Sequence, residues 1–169
     1  MIIVDKPADP SNYSRWRPGS VNLVVIHVEQ GYNAGTVATF QQKGHAASAH
    51  YGIDKRGGIL RFVHEEDTAW HAGNRDYNQR SVGIELEGFV ETLSLSDAQL
   101  DALVELTVDI CQRNHVPMDR QHIIGHDEVP DPRHPGQFGG VDHHDDPGPE
   151  FNWSVFMQRL SDFIVAPVR

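Results

Sequence analysis

The chain predicts a single domain of mixed α/β (α+β) class, with a central mixed β-sheet flanked by helices. Three observations lead there. Its 169 residues are 38% hydrophobic, which supplies one packed core of ordinary size. Short β-branched runs are interspersed with segments of helical periodicity, so helices must cover a sheet. Two of the strand-like runs flank a glycine-rich turn and must pair antiparallel, which excludes a uniformly parallel sheet.

Residues 1–20, with Pro7, Pro10, Pro18 and Gly19, predict an irregular N-terminal arm laid on a domain that spans 21–169. Residues 21–28 (VNLVVIHV) are almost continuously apolar, as expected of a central strand covered on both faces, with His27 near its end. A short helix is expected over 36–43. Residues 48–54 and 59–63 read as a β-hairpin turning at Lys55-Arg56-Gly57-Gly58. Residues 81–87 (SVGIELE) alternate, placing Ile84 and Leu86 on one face and Glu85 and Glu87 on the other.

The clearest helix covers 97–113, where Ser96 and Gln99 have capping-box spacing ahead of Leu100, Leu103, Val104, Thr107, Val108 and Cys111. Residues 121–125 form a short strand leading into His126, and 130–148, rich in Pro, Gly, Asp and His, must be loop. A last amphipathic helix is expected over 153–164, with Trp153, Phe156, Leu160 and Phe163 on its buried side.

Charge and composition exclude several functions. Fourteen Lys plus Arg against 24 Asp plus Glu leave a net charge of −10, which opposes nucleic-acid binding. No apolar run approaches the ~20 residues of a membrane span, so no membrane insertion is expected. Residues 1–16 carry no basic-then-apolar export pattern, which predicts synthesis in a cytoplasm without a signal peptide. Cys111 is the single cysteine, so an intrachain disulfide or a multi-cysteine zinc site is excluded. A transition metal would have to be held by carboxylates and by some of the eleven histidines.

Two histidines end predicted strands, His27 and His126, and His143-His144-Asp145-Asp146 precede a Pro-Gly turn. Two imidazoles and one carboxylate make a chemically complete metal site with an open position, able to lower the pKa of bound water from 15.7 to about 7, as a hydrolase requires. Spacing cannot choose among the four loop candidates. Read singly, each residue also has a plainer role, as a hydrogen-bonded core histidine or part of a solvated loop. Glu85 and Glu87 either serve a metal-bound water or line a solvent-facing edge, and Trp70-His71-Ala72-Gly73 either lines a substrate groove or caps a loop.

Six blocks in order carry a more specific signal: VVIH (24–27), SAHYGID (48–54), AWHAG (69–73), SVGIELEG (81–88), IIGHDEV (123–129) and DPGPEFNW (146–153). Over about residues 21–164 the chain resembles the zinc-dependent N-acetylmuramoyl-L-alanine amidases of the type-2 amidase and peptidoglycan-recognition-protein superfamily. The resemblance implies Zn2+ held by His27, His126 and Asp146, in a groove for the peptidoglycan stem peptide. It implies Glu85 as the catalytic glutamate, with Glu87 second, and His50, Trp70 and His71 as substrate-binding residues.

His144 stands where the family usually carries a lysine or threonine, and inherits stabilisation of the oxyanion. The loop between His126 and Asp146 is longer than in compact members, and with Phe138 is expected to form a flap near the groove. The implied activity is hydrolysis of the amide between N-acetylmuramic acid and L-alanine in bacterial peptidoglycan. The implied setting is a phage endolysin that a holin releases from the cytoplasm onto the wall. A non-catalytic peptidoglycan-binding module and a cytoplasmic recycling amidase for anhydro-muropeptides are the alternatives.

Overall fold

The computed structural model describes residues 1–165, so 166–169 of the expected domain lie outside the described residues. In chain order the elements are β1 (Ile3–Asp5), β2 (Tyr13–Ser14), β3 (Leu23–Val28), α1 (Asn33–Gln41), β4 (Tyr51–Ile53), β5 (Ile59–Arg61), β6 (Thr68–Ala69), α2 (Arg75–Arg80), β7 (Ser81–Leu86), α3 (Asp97–Asn114), β8 (Ile123–Gly125) and α4 (Trp153–Val165). Six strands form one sheet in the order β1-β5-β4-β7-β3-β8, while β2 and β6 make a separate antiparallel pair. Only β4 and β5 pair antiparallel within the large sheet, which is therefore mixed, as the hairpin requires. Among the described residues no helix is long and apolar enough to cross a membrane.

Alternation along β3 and β7 decides what each face of the sheet does. Val24, Ile26 and Val28, with Val82, Ile84 and Leu86, join the main core, where Leu103, Leu106 and Ile110 of α3 and Phe156 and Leu160 of α4 are fully buried. Leu23 and Val25 point the other way into a small cluster with Ala72, Ile124 and Val129. His27 shares their side of β3, and Glu85 lies opposite it in register on β7. The face away from α3 and α4 thus carries the polar groups.

Several elements differ from the sequence reading. The arm is not wholly irregular: β1 pairs in parallel with β5 at the sheet edge, where Asp5 also accepts two hydrogen bonds from Arg61. Backbone pairing suffices there, and only Ile3 of that strand is even partly buried. Helix α2 has no buried residue and hence no apolar periodicity to read; Asn74 starts it by accepting from the backbone N–H groups of Asp76 and Tyr77.

Only half of the expected capping box forms at α3. Ser96 accepts from the Gln99 N–H, but the Gln99 amide donates instead to the carbonyls of Ile53 and Glu87 at the ends of two strands, tying the helix start to the sheet. Phe163 is 48% exposed instead of buried, because the last turn of α4 meets only a shallow cavity along the start of α3. Within 130–148, a short 3-10 turn at Gly140–Asp142 interrupts the loop.

Candidate metal centre and groove

Strands β3 and β8 are parallel neighbours, so His27 and His126 emerge at the same end of the sheet. The long loop returns Asp146 between them, held by its carbonyl, which accepts from the Asp127 N–H at 2.8 Å, and by Oδ2, which accepts from the Val28 N–H at 3.2 Å. Gly125 makes room for this return: a Cβ there would lie 2.7 Å from Pro147 Cδ.

The three side chains converge at their tips. His27 Nδ1 and His126 Nδ1 are 3.1 Å apart, His27 Nδ1 lies 3.2 Å from Asp146 Oδ2, and His126 Nδ1 lies 3.1 Å from Asp146 Oδ1. Three donors at the corners of a tetrahedron around zinc, with bonds near 2.0–2.1 Å, would stand roughly 3.3 Å apart. All three are buried. The set therefore fits a divalent transition metal.

A chain of hydrogen bonds sets the tautomer of His27. The Ser81 hydroxyl donates to the Tyr77 carbonyl at 2.6 Å, so it must accept from His71 Nε2–H at 3.1 Å. His71 Nδ1 is then an acceptor and takes the His27 Nε2–H at 2.9 Å. Burial, then the neighbouring His126, pushes His27 down to about 4, so near neutral pH its Nδ1 presents a bare lone pair to the cluster. Without a cation between them, that lone pair would face the carboxylate directly. Burial opposes ionisation of Asp146, yet the hydrogen bond with His126 holds its carboxyl well below the usual carboxylate range. His126 is fixed differently, by stacking on His144 with ring centroids 4.7 Å apart and planes 17° from parallel.

A groove of about 490 Å³ opens above this cluster, lined among others by Glu29, Tyr32, Ser48, Trp70, His71, Glu85, His144 and Asp145. Burial, then the charges of Asp146 and Glu29, raises the Glu85 carboxyl well above its ordinary value. Glu29 was not singled out from the sequence. It lies two residues beyond His27, just past the end of β3, and that spacing is the signal that could have found it. Its carboxyl is pushed up to about 8 by burial, and one of its oxygens is buried without a partner.

The four loop candidates separate. Asp146 enters the cluster, and His144 Nδ1 stands 3.9 Å from Asp146 Oδ1 at its edge. Asp145 lines the groove. His143 turns away, its Nε2 2.7 Å from Oδ2 of buried Asp131, which also meets His134 Nδ1 at 2.7 Å and ties the loop together. Phe138 is 55% exposed and does not line the groove, so no aromatic flap closes over it. Glu87 is outside the lining as well, with Oε2 3.5 Å from the Asn33 N–H.

Of the three residues expected to touch substrate, Trp70 and His71 line the groove and His50 does not. His50 is fully buried, with Nδ1 accepting from the Gly83 N–H at 3.0 Å and Nε2 2.7 Å from the Arg17 guanidinium. These contacts hold its side chain inside the domain, so the expected substrate contact is replaced by a structural one. The same Arg17 donates to the carbonyls of Glu65, Gln79 and Asp67 and cross-links the arm to the domain.

Comparison with known proteins places this geometry. Residues 17–149 match the family model described as N-acetylmuramoyl-L-alanine amidase. The chain is 35% identical over 166 residues to N-acetylmuramoyl-L-alanine amidase A of Achromobacter lyticus, covering 92% of this chain and 91% of that protein. The crystal structure of a selenomethionine derivative of AmpD superposes with a TM-score of 0.73 at 28% identity, covering 94% of each chain. The amidase AmiD from E. coli, solved in complex with anhydro-N-acetylmuramic acid-L-Ala-D-γ-Glu-L-Lys, superposes with a TM-score of 0.67 at 26% identity over 82% of this chain and 57% of that one. The chain belongs to the N-acetylmuramoyl-L-alanine amidase family.

Proposed function

We propose that the protein hydrolyses the amide between the lactyl group of N-acetylmuramic acid and L-alanine in bacterial peptidoglycan, with Zn2+ held by His27, His126 and Asp146. The observation that carries this reading is the triangle of buried donors 3.1–3.2 Å apart at the floor of an open groove. Family membership and the substrate-like ligand of AmiD support it.

Zinc, when bound there, would polarise the scissile carbonyl and acidify a water molecule. Glu85 takes the proton of the attacking water and passes it to the leaving amine. Its raised proton affinity, set by burial and by the Asp146 and Glu29 charges, suits the second transfer. His144, at the rim of the cluster, donates to the oxygen on which negative charge develops. Trp70 and His71 wall the groove on the side of the 69–73 segment and orient the substrate.

The setting we propose is lysis of the polymeric wall after release from a host cytoplasm through a holin, as a phage endolysin acts. The test is digestion of purified cell walls, following new L-alanine amino groups and identifying the cleaved bond by mass spectrometry. Chelation should stop the reaction and zinc should restore it. Binding without cleavage would instead make the protein a recognition module. Cleavage of soluble anhydro-muropeptides alone would make it a recycling enzyme.

A further inference from the structure

A second cavity, of about 720 Å³, shares Trp70 with the groove above the metal cluster. Three observations mark it as a binding site. The first is Trp16 at its edge, a tryptophan 77% exposed to solvent with its backbone in the left-handed region at φ 63°. A bulky aromatic residue rarely adopts that conformation, and here neighbouring hydrogen bonds enforce it. The Trp16 N–H donates to Asp67 Oδ1 at 2.9 Å, and the next residue is anchored by its N–H to the Glu66 carbonyl at 2.7 Å. The indole is thus held out of the core by a rigid base, and strain of this kind concentrates at ligand-binding positions.

The second observation is the anchoring of Trp70, whose indole N–H donates to Ser14 Oγ at 3.0 Å, so the ring shared by the two cavities is held in place. The third is charge. Arg75 and Arg133 both line the cavity, and neither forms an ion pair among the described residues. In a chain of net charge −10, two uncompensated guanidiniums facing one cavity select for an anionic group, and a guanidinium suits a carboxylate in particular. Arg133 belongs to the long loop after His126, which thus contributes to the walls of both cavities.

We propose that this cavity binds a second repeat of the wall polymer while the first lies in the groove, with an amino-sugar ring stacked on Trp16 and a stem-peptide carboxylate held by Arg75 and Arg133. The proposal rests on the amidase reading above. An exposed indole offers its face to the C–H face of a pyranose, and Gln79 in the same lining offers an amide to an N-acetyl group. The second repeat arrives tethered to the first, at an effective concentration on the order of millimolar, so weak contacts suffice to favour a polymer over a single muropeptide.

The experiment compares wild type, Trp16→Ala, Trp16→Phe and the Arg75→Gln/Arg133→Gln double variant on two substrates, insoluble cell-wall polymer and a soluble muramoyl tripeptide. Trp16→Ala and the double variant should each lose about tenfold in kcat/KM on the polymer and stay within about twofold of wild type on the tripeptide, with Trp16→Phe close to wild type on both. Equal losses on the two substrates, or no loss on the polymer, would overturn the proposal. Cosedimentation of metal-free protein with the wall polymer gives a readout independent of cleavage, and Trp16→Ala should weaken it. If wild type cuts neither substrate, the amidase reading fails, while this binding measurement still decides the cavity: unchanged sedimentation of Trp16→Ala would refute it.

Discussion

His27 and His71 meet edge to face, Nε2 to Nδ1 at 2.9 Å, and this one hydrogen bond decides which nitrogen of His27 is left free. The Ser81 hydroxyl behind His71 makes the arrangement one-directional, because its own proton is committed to the Tyr77 carbonyl. Such outer partners orient a ligand and raise its basicity. His71→Ala should therefore lower zinc affinity roughly 10–100-fold while leaving all three proposed ligands in place. His71→Asn, which can still offer an acceptor, should recover part of the loss. Competition with a chromophoric chelator measures both, and wild-type affinity in His71→Ala would show that the hydrogen bond does not matter.

Asp146 supplies the only carboxylate of the cluster and sits between both imidazoles. Asp146→Ala should abolish stoichiometric metal binding and turnover together. Metal analysis of the purified variant checks this, and one retained equivalent of zinc would refute the ligand assignment.

For Glu85→Gln the outcome should split. Metal content stays at the wild-type level, since Glu85 is not one of the clustered donors, while kcat falls by roughly two to four orders of magnitude through loss of the proton carrier. A variant within about threefold of wild type would remove Glu85 from the proposed mechanism.

Gly83 links the sheet to the site without touching the cluster. A Cβ at this position would stand 2.6 Å from His71 Cγ, and the ring, boxed in by His27 and Ser81, cannot withdraw. Gly83→Ala should reproduce the metal-affinity loss of His71→Ala and also lower the melting temperature. Normal affinity in a folded Gly83→Ala protein would mean that the ring has room to move.

Burial, then the Arg17 charge, pushes His50 down to about 3 from an ordinary 6.5. Between those values the unfolded chain binds a proton that the folded one refuses, so stability rises with pH across the window. The contribution is complete above about pH 6.5 and is lost as pH falls toward about 3. Melting curves of chelator-treated protein should show Tm falling through this range. His50→Asn should be less stable at neutral pH but flatter against acid. Parallel curves for the two proteins would sink the assignment.

Much of the fold was legible because burial leaves periodicity behind. Strand β3 reads as a nearly continuous apolar run since both its faces are covered, and β7 reads by alternation, with Ile84 and Leu86 inward. Helix α3 shows its buried stripe and its Ser96 cap. What escaped were elements that bury little: β1, held by backbone pairing at an edge, and α2, with no buried side chain at all. His50 shows the same limit from the other direction. Its motif suggests contact with substrate, but whether a side chain beside a strand end points into a groove or into the interior depends on which segments pack around it.

The sequence by itself determined the order of the elements that bury a face, the side of β7 on which Glu85 lies, and the family to which the six ordered blocks belong, because these follow from local alternation and spacing. Only the tertiary structure decided which of His143, His144, Asp145 and Asp146 reaches the two strand-end histidines. It also decided that Glu29 and Trp70 share their groove and that Trp16 stands guard over a second cavity. Those outcomes depend on the path of a long loop and of an arm that carry no periodicity. Their positions come from contacts between residues far apart in the chain, such as Asp146 with Val28 and Trp16 with Asp67, which no local pattern encodes.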